Sequence, residues 1–228
     1  MFTSFRDRLT MPEASDVESV KRKMRFDYIK VKNEADSRAL EGFSSLLSFF
    51  QRPQLSVRDM IQETTAYLQR QFKVRWAMVG LRSASDGLFR YEVHTGMRPE
   101  AWARQKTKTY HESDFDVRGS YKAGEISKLT RVYLEEENPL FVEDEQVVNR
   151  PVLLRVKRKE VDEALEADFV DTLIVGSHDE LLGWIEYGGT VAGKLPDPMV
   201  IRHAEVAASI IAAAITTHDR LAASSQAV

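Results

Sequence analysis

The sequence predicts an α+β chain, with helices at both ends and antiparallel strand pairs between them. Three observations carry this expectation. Residues 16–50, and the stretch that begins at Asp197, place apolar side chains at steps of three and four, the spacing of a helix face. The period falls to two in "RWAMVGLR", "LFRYEVHTG", "DFVDTLIVGS" and "ELLGWIEYGG". Short turn signals, Asp86-Gly87 and "HDE", join these strands in pairs.

The first block, about residues 16–50, carries Val17, Val20, Met24, Tyr28, Val31, Ala35, Ala39, Phe43, Leu46 and Phe50 in one stripe, with charged residues opposite. A one-sided helix of this kind needs a partner helix, here expected in a second chain, and Gly42 is expected to mark a bend. Pro53 ends the block. Ser56 and Asp59 form a capping-box-like pair, with Leu55 and Met60 as a hydrophobic staple. A helix to about Phe72 should follow, with Val57, Ile61, Thr64, Leu68 and Phe72 on one face.

The hairpin 75–96 should carry Phe89, Tyr91 and Val93 on one face. "RPEAWARQK" reads as a short helix and "TYHESDFDVRGSYKAG" as a polar, aromatic-rich loop. "EISKLTRVYLEEE" fits strand or helix. "NRPVLLRVKR" reads as a strand that Pro151 keeps off a sheet interior, and "KEVDEALEAD" as an acidic loop. Asp197 and Pro198 cap and open the last helix, expected to reach about Ala222. From Ala204 to Ile215 it is apolar nearly all round, so two sides should be buried: one by the sheet, one by another helix.

Composition excludes several functions. The 228 residues suffice for one good-sized domain and an extension. Net charge is −3 and the pI about 6.0, so no global positive field draws the chain to nucleic acid or anionic lipid. The absence of cysteine excludes disulfides, thiol nucleophiles, thiolate metal sites and thioether-linked chromophores. "AEVAASIIAAAI" is too short for a bilayer and holds Glu205, and "MFTSFRDRLTMPE" lacks a signal-peptide core. The expectation is a cytoplasmic protein with neither membrane nor nucleic-acid partner.

The order helix, hairpin, variable loops, hairpin, helix resembles a GAF domain. "DELLGWIEYGGTVAGKLPDPMVIRHAEVAASIIAAAI" resembles the closing strand and helix of that family, and "LSVRDMIQETTAYLQRQFKVRWAMVGLRSASDG" its opening helix and first strand. "YKAGEISKLTRVYLEEENPL" through "NRPVLL" is similar to GAF-type modules of archaeal signalling proteins. The resemblance covers about residues 55–220. It implies a GAF/PAS-like antiparallel sheet, terminal helices packed on one face, and loops closing a pocket on the other. The implied organisation is a helical extension over 1–54, a GAF-like domain over 55–222 and a tail over 223–228. The implied role is a small-molecule sensor or dimerisation module. Without cysteine, bilin attachment and methionine sulfoxide reduction are excluded, and the N-K-x-F-D-E signature of cyclic-nucleotide GAF domains is missing.

Other chemistries have weaker signals. Gly188, Gly193 and Lys194 satisfy G-x-x-x-x-G-K, but Leu195 stands where a phosphate loop needs a hydroxyl, and Pro196 prevents a helix from starting there. His94, His111, His178, His203 and His218 have no metal-ligand spacing, and His218 as a phosphoacceptor has no kinase domain after it. The acidic runs at Glu135–Asn138 and Glu143–Glu145 lack a calcium-loop pattern and read as solvated. No catalytic or metal-binding residue is therefore assigned, and no cofactor is identified.

Loop residues Trp102, Tyr110, Arg118, Tyr121, Arg131, Tyr133, Asn149 and Arg150 mix aromatics with arginines, a set suited to a planar or anionic ligand. Arg118, Tyr121, Arg131, Tyr133 and Asn149 are the candidate ligand contacts. Val31, Leu46, Ala208, Ile211 and Ile215 are the candidate dimer interface. The expected function is a non-enzymatic sensory module that binds a small molecule and signals through a homodimer, with a signalling protein as possible partner. The alternatives are a ligand-free scaffold for dimerisation and, less favoured, a nucleotide-dependent enzyme.

Overall fold

The computed structural model describes residues 35–48, 52, 56–116, 121–140 and 142–226. Residues 16–34 of the expected first helix, Val31 among them, lie outside the described residues, as do Phe50, Leu55 and Arg118. The chain divides into two units, Met1–Glu41 and Gly42–Val228. In the first, the described residues from Ala35 are helical. The second holds the sheet.

The helices are α1 (Ala35–Leu47), α2 (Val57–Phe72), α3 (Pro99–Gln105) and α4 (Pro198–Gln226). The strands are β1 (Ala77–Arg82), β2 (Phe89–Thr95), β3 (Gly124–Glu125), β4 (Thr130–Tyr133), β5 (Phe169–Val175) and β6 (Leu181–Tyr187). The Ser56 hydroxyl accepts the Asp59 N–H at 3.1 Å and the Asp59 carboxylate accepts the Ser56 N–H, which completes the capping box of α2. Asp197 caps α4 by accepting the N–H groups of Met199 and Val200 at 2.8 and 3.0 Å.

The strands form one antiparallel sheet in the order β2-β1-β6-β5-β4-β3. Strand alternation gives it two working faces. One carries Val79, Val93, Val170, Ile174, Ile185 and Tyr187, packed against Met60, Ile61 and Leu68 of α2 and Ala204, Ala207, Ala208 and Ile211 of α4. The other carries Met78, Phe89, Tyr91 and Trp184 in a separate aromatic cluster with Met97, Ala101 and Phe115. A Cβ on Gly80 would lie 2.1 Å from the Trp184 ring, so glycine is what lets that ring lie across β1.

Three expectations change. Phe89, Tyr91 and Val93 do not share a face. The β1–β2 register passes from Val79↔Val93 to Gly80↔Tyr91, leaving Glu92 without a partner in the pairing, and this bulge sends Val93 to the helix side. "NRPVLLRVKR" is no strand: Pro151–Leu153 is a 3-10 turn and Arg155 has a positive φ of 62°. The acidic run at 135 is not wholly solvated. Glu135 is buried and accepts the N–H groups of Arg155 and Ala167, while Asp168 accepts those of Glu135 and Leu165. A Cβ at Gly42 would meet the Tyr67 ring at 1.9 Å, so this glycine is a close-approach residue. "EISKLTRVYLEEE" resolves as β3–β4, because Thr130–Tyr133 pairs with β5.

The second burial partner of α4 lies in the same chain. α4 packs on β5 and on α2, and His203 stacks on Phe43 at 5.2 Å. Leu46, Ala208 and Ile211 are each 3% exposed or less in the single chain, and Ile215 packs against the same core. In the single chain Leu46, Ala208 and Ile211 belong to the core and Ile215 lies partly buried beside it. The outward stripe of α4 is instead Arg202, Val206, Ser209 and Ala213. By length and composition α4 is apolar enough over Pro198–Asp219 to cross a bilayer, more than the sequence reading allowed, and its inward face is packed on the sheet.

Candidate ligand pocket

The face of the sheet away from α2 and α4 holds a cavity of about 110 Å³. Its floor is β5 and β6. On β5, Phe169 and Asp171 alternate with Val170 and Thr172, which point to the helices. On β6, Trp184 and Glu186 alternate in the same way with Ile185 and Tyr187. The walls come from Tyr91, Tyr110, Phe115 and Tyr133, and the rim from Tyr121, Leu140 and Val147–Asn149.

Two buried carboxyls meet on this floor. Asp171 and Glu186 are 6% and 7% exposed and stand directly opposite in the β5–β6 register. Tyr91 donates its hydroxyl to Glu186 Oε2 at 2.6 Å. Burial drives the Asp171 pKa well above the ordinary carboxyl range, the nearby Glu186 charge adds to this, and Arg131 across β4 opposes it. Burial also raises Glu186, against the Tyr91 hydrogen bond and the Lys108 charge. Tyr133 is pushed up to about 12 by burial. Like charges opposed across strands repel, which adds to the upward pull of burial on Asp171.

Acceptors are left over here. Among the described residues, Asp171 Oδ1 and Gln105 Oε1 are buried without a hydrogen-bond partner, and both residues line the cavity. Such atoms in a native fold ask for an occupant or a function.

No family model matches the sequence, and no curated protein matches it. Solved structures do. The chain is similar to the GAF domain of a phosphoenolpyruvate-protein phosphotransferase from Acinetobacter, at 9% identity, with 79% of this chain and 94% of that one covered and a TM-score of 0.50. It is also similar to a GAF domain/HD domain protein from Geobacter sulfurreducens (13% identity, 73% and 95% covered, TM-score 0.50) and to a further GAF domain structure (12%, 80% and 89%, TM-score 0.51). The fold is that of a GAF domain.

Within the GAF fold, the expected ligand residues separate. Tyr133 and Tyr121 line the cavity, their rings edge to face at 6.5 Å. Asn149 lines it too, but its amide is engaged by backbone: Oδ1 accepts the Arg98 N–H at 2.8 Å and Nδ2 donates to Gly96 O at 2.9 Å. It positions the loop over α3. Arg131 is on the pocket face of β4, but its guanidinium donates to Phe115 O and it does not line the cavity. Arg150 is bound to Glu166, and Trp102 packs against His94 with tilted rings, centroids 4.3 Å apart. Among the described residues, the cavity has a floor that carries two carboxyls and walls of aromatic rings.

The glycine loop of the GAF fold is not a phosphate cradle. Lys194 is held by Glu160 and Asp162. The N–H groups of Gly188, Thr190, Val191 and Gly193 donate to Trp76, Lys194, Lys73 and Thr190 carbonyls. No donor array is left for phosphate. Among the described residues no group of three or more His, Asp or Glu side chains could hold a metal ion.

Proposed function

We propose that this chain is a non-enzymatic, GAF-type regulatory module that binds a small molecule in the aromatic cavity and passes its occupancy to α4. One observation carries the reading: a cavity of ligand-site character whose floor holds an unpartnered, buried Asp171 acceptor. The likeness to GAF domains of a phosphotransferase and of a GAF/HD protein supports a place in regulation.

A polar track supports the coupling to α4. Asp171 faces the pocket, while its neighbour Thr172 faces the helices. The Thr172 and Thr130 hydroxyls lie 3.1 Å apart, and Thr130 donates to Glu205 of α4 at 3.0 Å, with Ser127 a second donor to that carboxylate. A ligand that draws on Asp171 thereby loads β5 and, through the threonines, α4. A second copy of the chain, or a signalling protein, reads α4 along its outward stripe at Val206 and Ala213.

The experiment is native mass spectrometry of the purified protein with a thermal-shift ligand panel, and light scattering of the wild type and Val206→Glu. A bound or stabilising small molecule, and a dimer that the variant weakens, are expected. A chain that binds nothing but dimerises is a scaffold. A wild-type monomer removes the helix-to-copy readout.

A further inference from the structure

We propose that the pocket takes a small organic ammonium cation, held by the Asp171 and Glu186 carboxyls among the rings of Tyr91, Tyr110, Tyr133 and Trp184. This rests on the cavity being the ligand site.

Charge points that way. Among the described residues, the lining contains four acids, Asp114, Glu166, Asp171 and Glu186, and one base, Lys108. Three of the acids hold protein donors: Glu166 binds Arg150, with Arg75 at 4.0 Å, Asp114 accepts the His111 N–H at 2.8 Å, and Glu186 Oε2 accepts the Tyr91 hydroxyl at 2.6 Å. Asp171 keeps an oxygen without a donor and is the acid the occupant meets, with Glu186 beside it. Arg131 faces Asp171 across the β4–β5 register, and its guanidinium bond to Phe115 O leaves Asp171 Oδ1 unpartnered.

Hydrogen-bond bookkeeping agrees. The two orphan atoms, Asp171 Oδ1 and Gln105 Oε1, are both acceptors, so the occupant must donate. An anion would bring more acceptors to two carboxyls and be repelled. The rings complete the fit. Trp184 has Phe115, Tyr91 and Tyr110 around it with centroids at 4.8, 4.9 and 5.4 Å, and aromatic faces attract ammonium groups.

Protons follow. Asp171 is driven upward chiefly by burial, and an incoming cation stabilises its ionised form. Binding therefore releases a proton and weakens as pH falls and Asp171 takes that proton back. The other titratable groups facing it are Glu186, Lys108, Tyr91, Tyr110 and Tyr133, with Arg131 a fixed charge.

The test is calorimetry on the full chain with three probes of one shape: benzylamine, benzyl alcohol and benzoate. Benzylamine should bind at least about tenfold more tightly than benzyl alcohol, the increment of a hydrogen bond to a charged group, and benzoate more weakly than either. Asp171→Asn, isosteric with the protonated acid, should erase the benzylamine preference and the proton release. Glu186→Gln is the second variant and should reduce the preference. Equal binding of the three probes, tighter binding of benzoate, or a benzylamine preference that survives Asp171→Asn overturns the cation assignment and leaves the pocket a ligand site. No binding of any probe overturns the assignment, and an empty native mass spectrum alongside it removes the ligand-site reading too.

Discussion

Replacing Asp171 should make the protein more stable. Its Oδ1 is buried without a partner and the group faces a second carboxyl, so the native state bears a cost that the unfolded chain does not. An orphaned buried polar atom costs about 1–3 kcal/mol. Leucine at 171 puts two methyls in place of the two carboxyl oxygens, which removes the orphan and the repulsion, and the cavity of about 110 Å³ beside it has room for the slightly larger side chain. Asp171→Leu should therefore gain about 2 kcal/mol at neutral pH, which for a chain of this length raises Tm by about 4–8 °C. The gain should depend on pH with a definite sign. An acid whose native pKa is raised binds more protons folded than unfolded. Its contribution is fully present below the unfolded value, near 3.9, and is lost as pH rises through the raised native value. The gap between variant and wild type should thus widen from about pH 4 upward. Urea unfolding of both proteins at a series of pH values reads it. A variant destabilised by about 2 kcal/mol or more would show that Asp171 anchors the fold, and the reasoning that makes it a ligand group would fail.

Three further outcomes are expected. Gly80→Ala drives a methyl into the Trp184 ring and should cost about 1–3 kcal/mol in urea unfolding, with a changed tryptophan spectrum; a neutral result would mean the ring is seated elsewhere. Glu135→Ala leaves the Arg155 and Ala167 N–H groups without their acceptor and should cost about 2–4 kcal/mol, whereas a cost below about 0.5 kcal/mol would return that acid to the solvated class. Thr130→Val cuts the hydroxyl track and should leave benzylamine affinity within about twofold while abolishing ligand-induced change in hydrogen exchange along α4; a change that persists places the coupling on another route.

The elements most legible in the sequence were those with local chemistry to mark them. Ser56, Asp59, Asp197 and Pro198 act through neighbouring backbone, and the helices begin where these residues say. Strands β1, β5 and β6 follow from period-two runs. What depended on tertiary pairing was not legible. The bulge at Glu92 flips a face without changing composition, and "NRPVLLRVKR" has strand residues but takes a 3-10 turn at Pro151–Leu153 and a positive φ at Arg155. The alanines of α4 announced a close helix neighbour but not that α2 of the same chain supplies it. For the site, attention went to loop arginines, while the floor acids sat inside strands. "FVDTLIV" and "GWIEYGG" each set one carboxylate in an otherwise largely apolar strand, and that mismatch between residue and burial was the available signal.

The most direct test is a crystal structure of the protein purified without unfolding, read at Asp171 Oδ1. Non-protein density within about 2.7–3.2 Å of that atom, enclosed by the Trp184 and Tyr91 rings, is the predicted result. A collapsed cavity in which a side chain of the protein itself donates to Asp171 would contradict it.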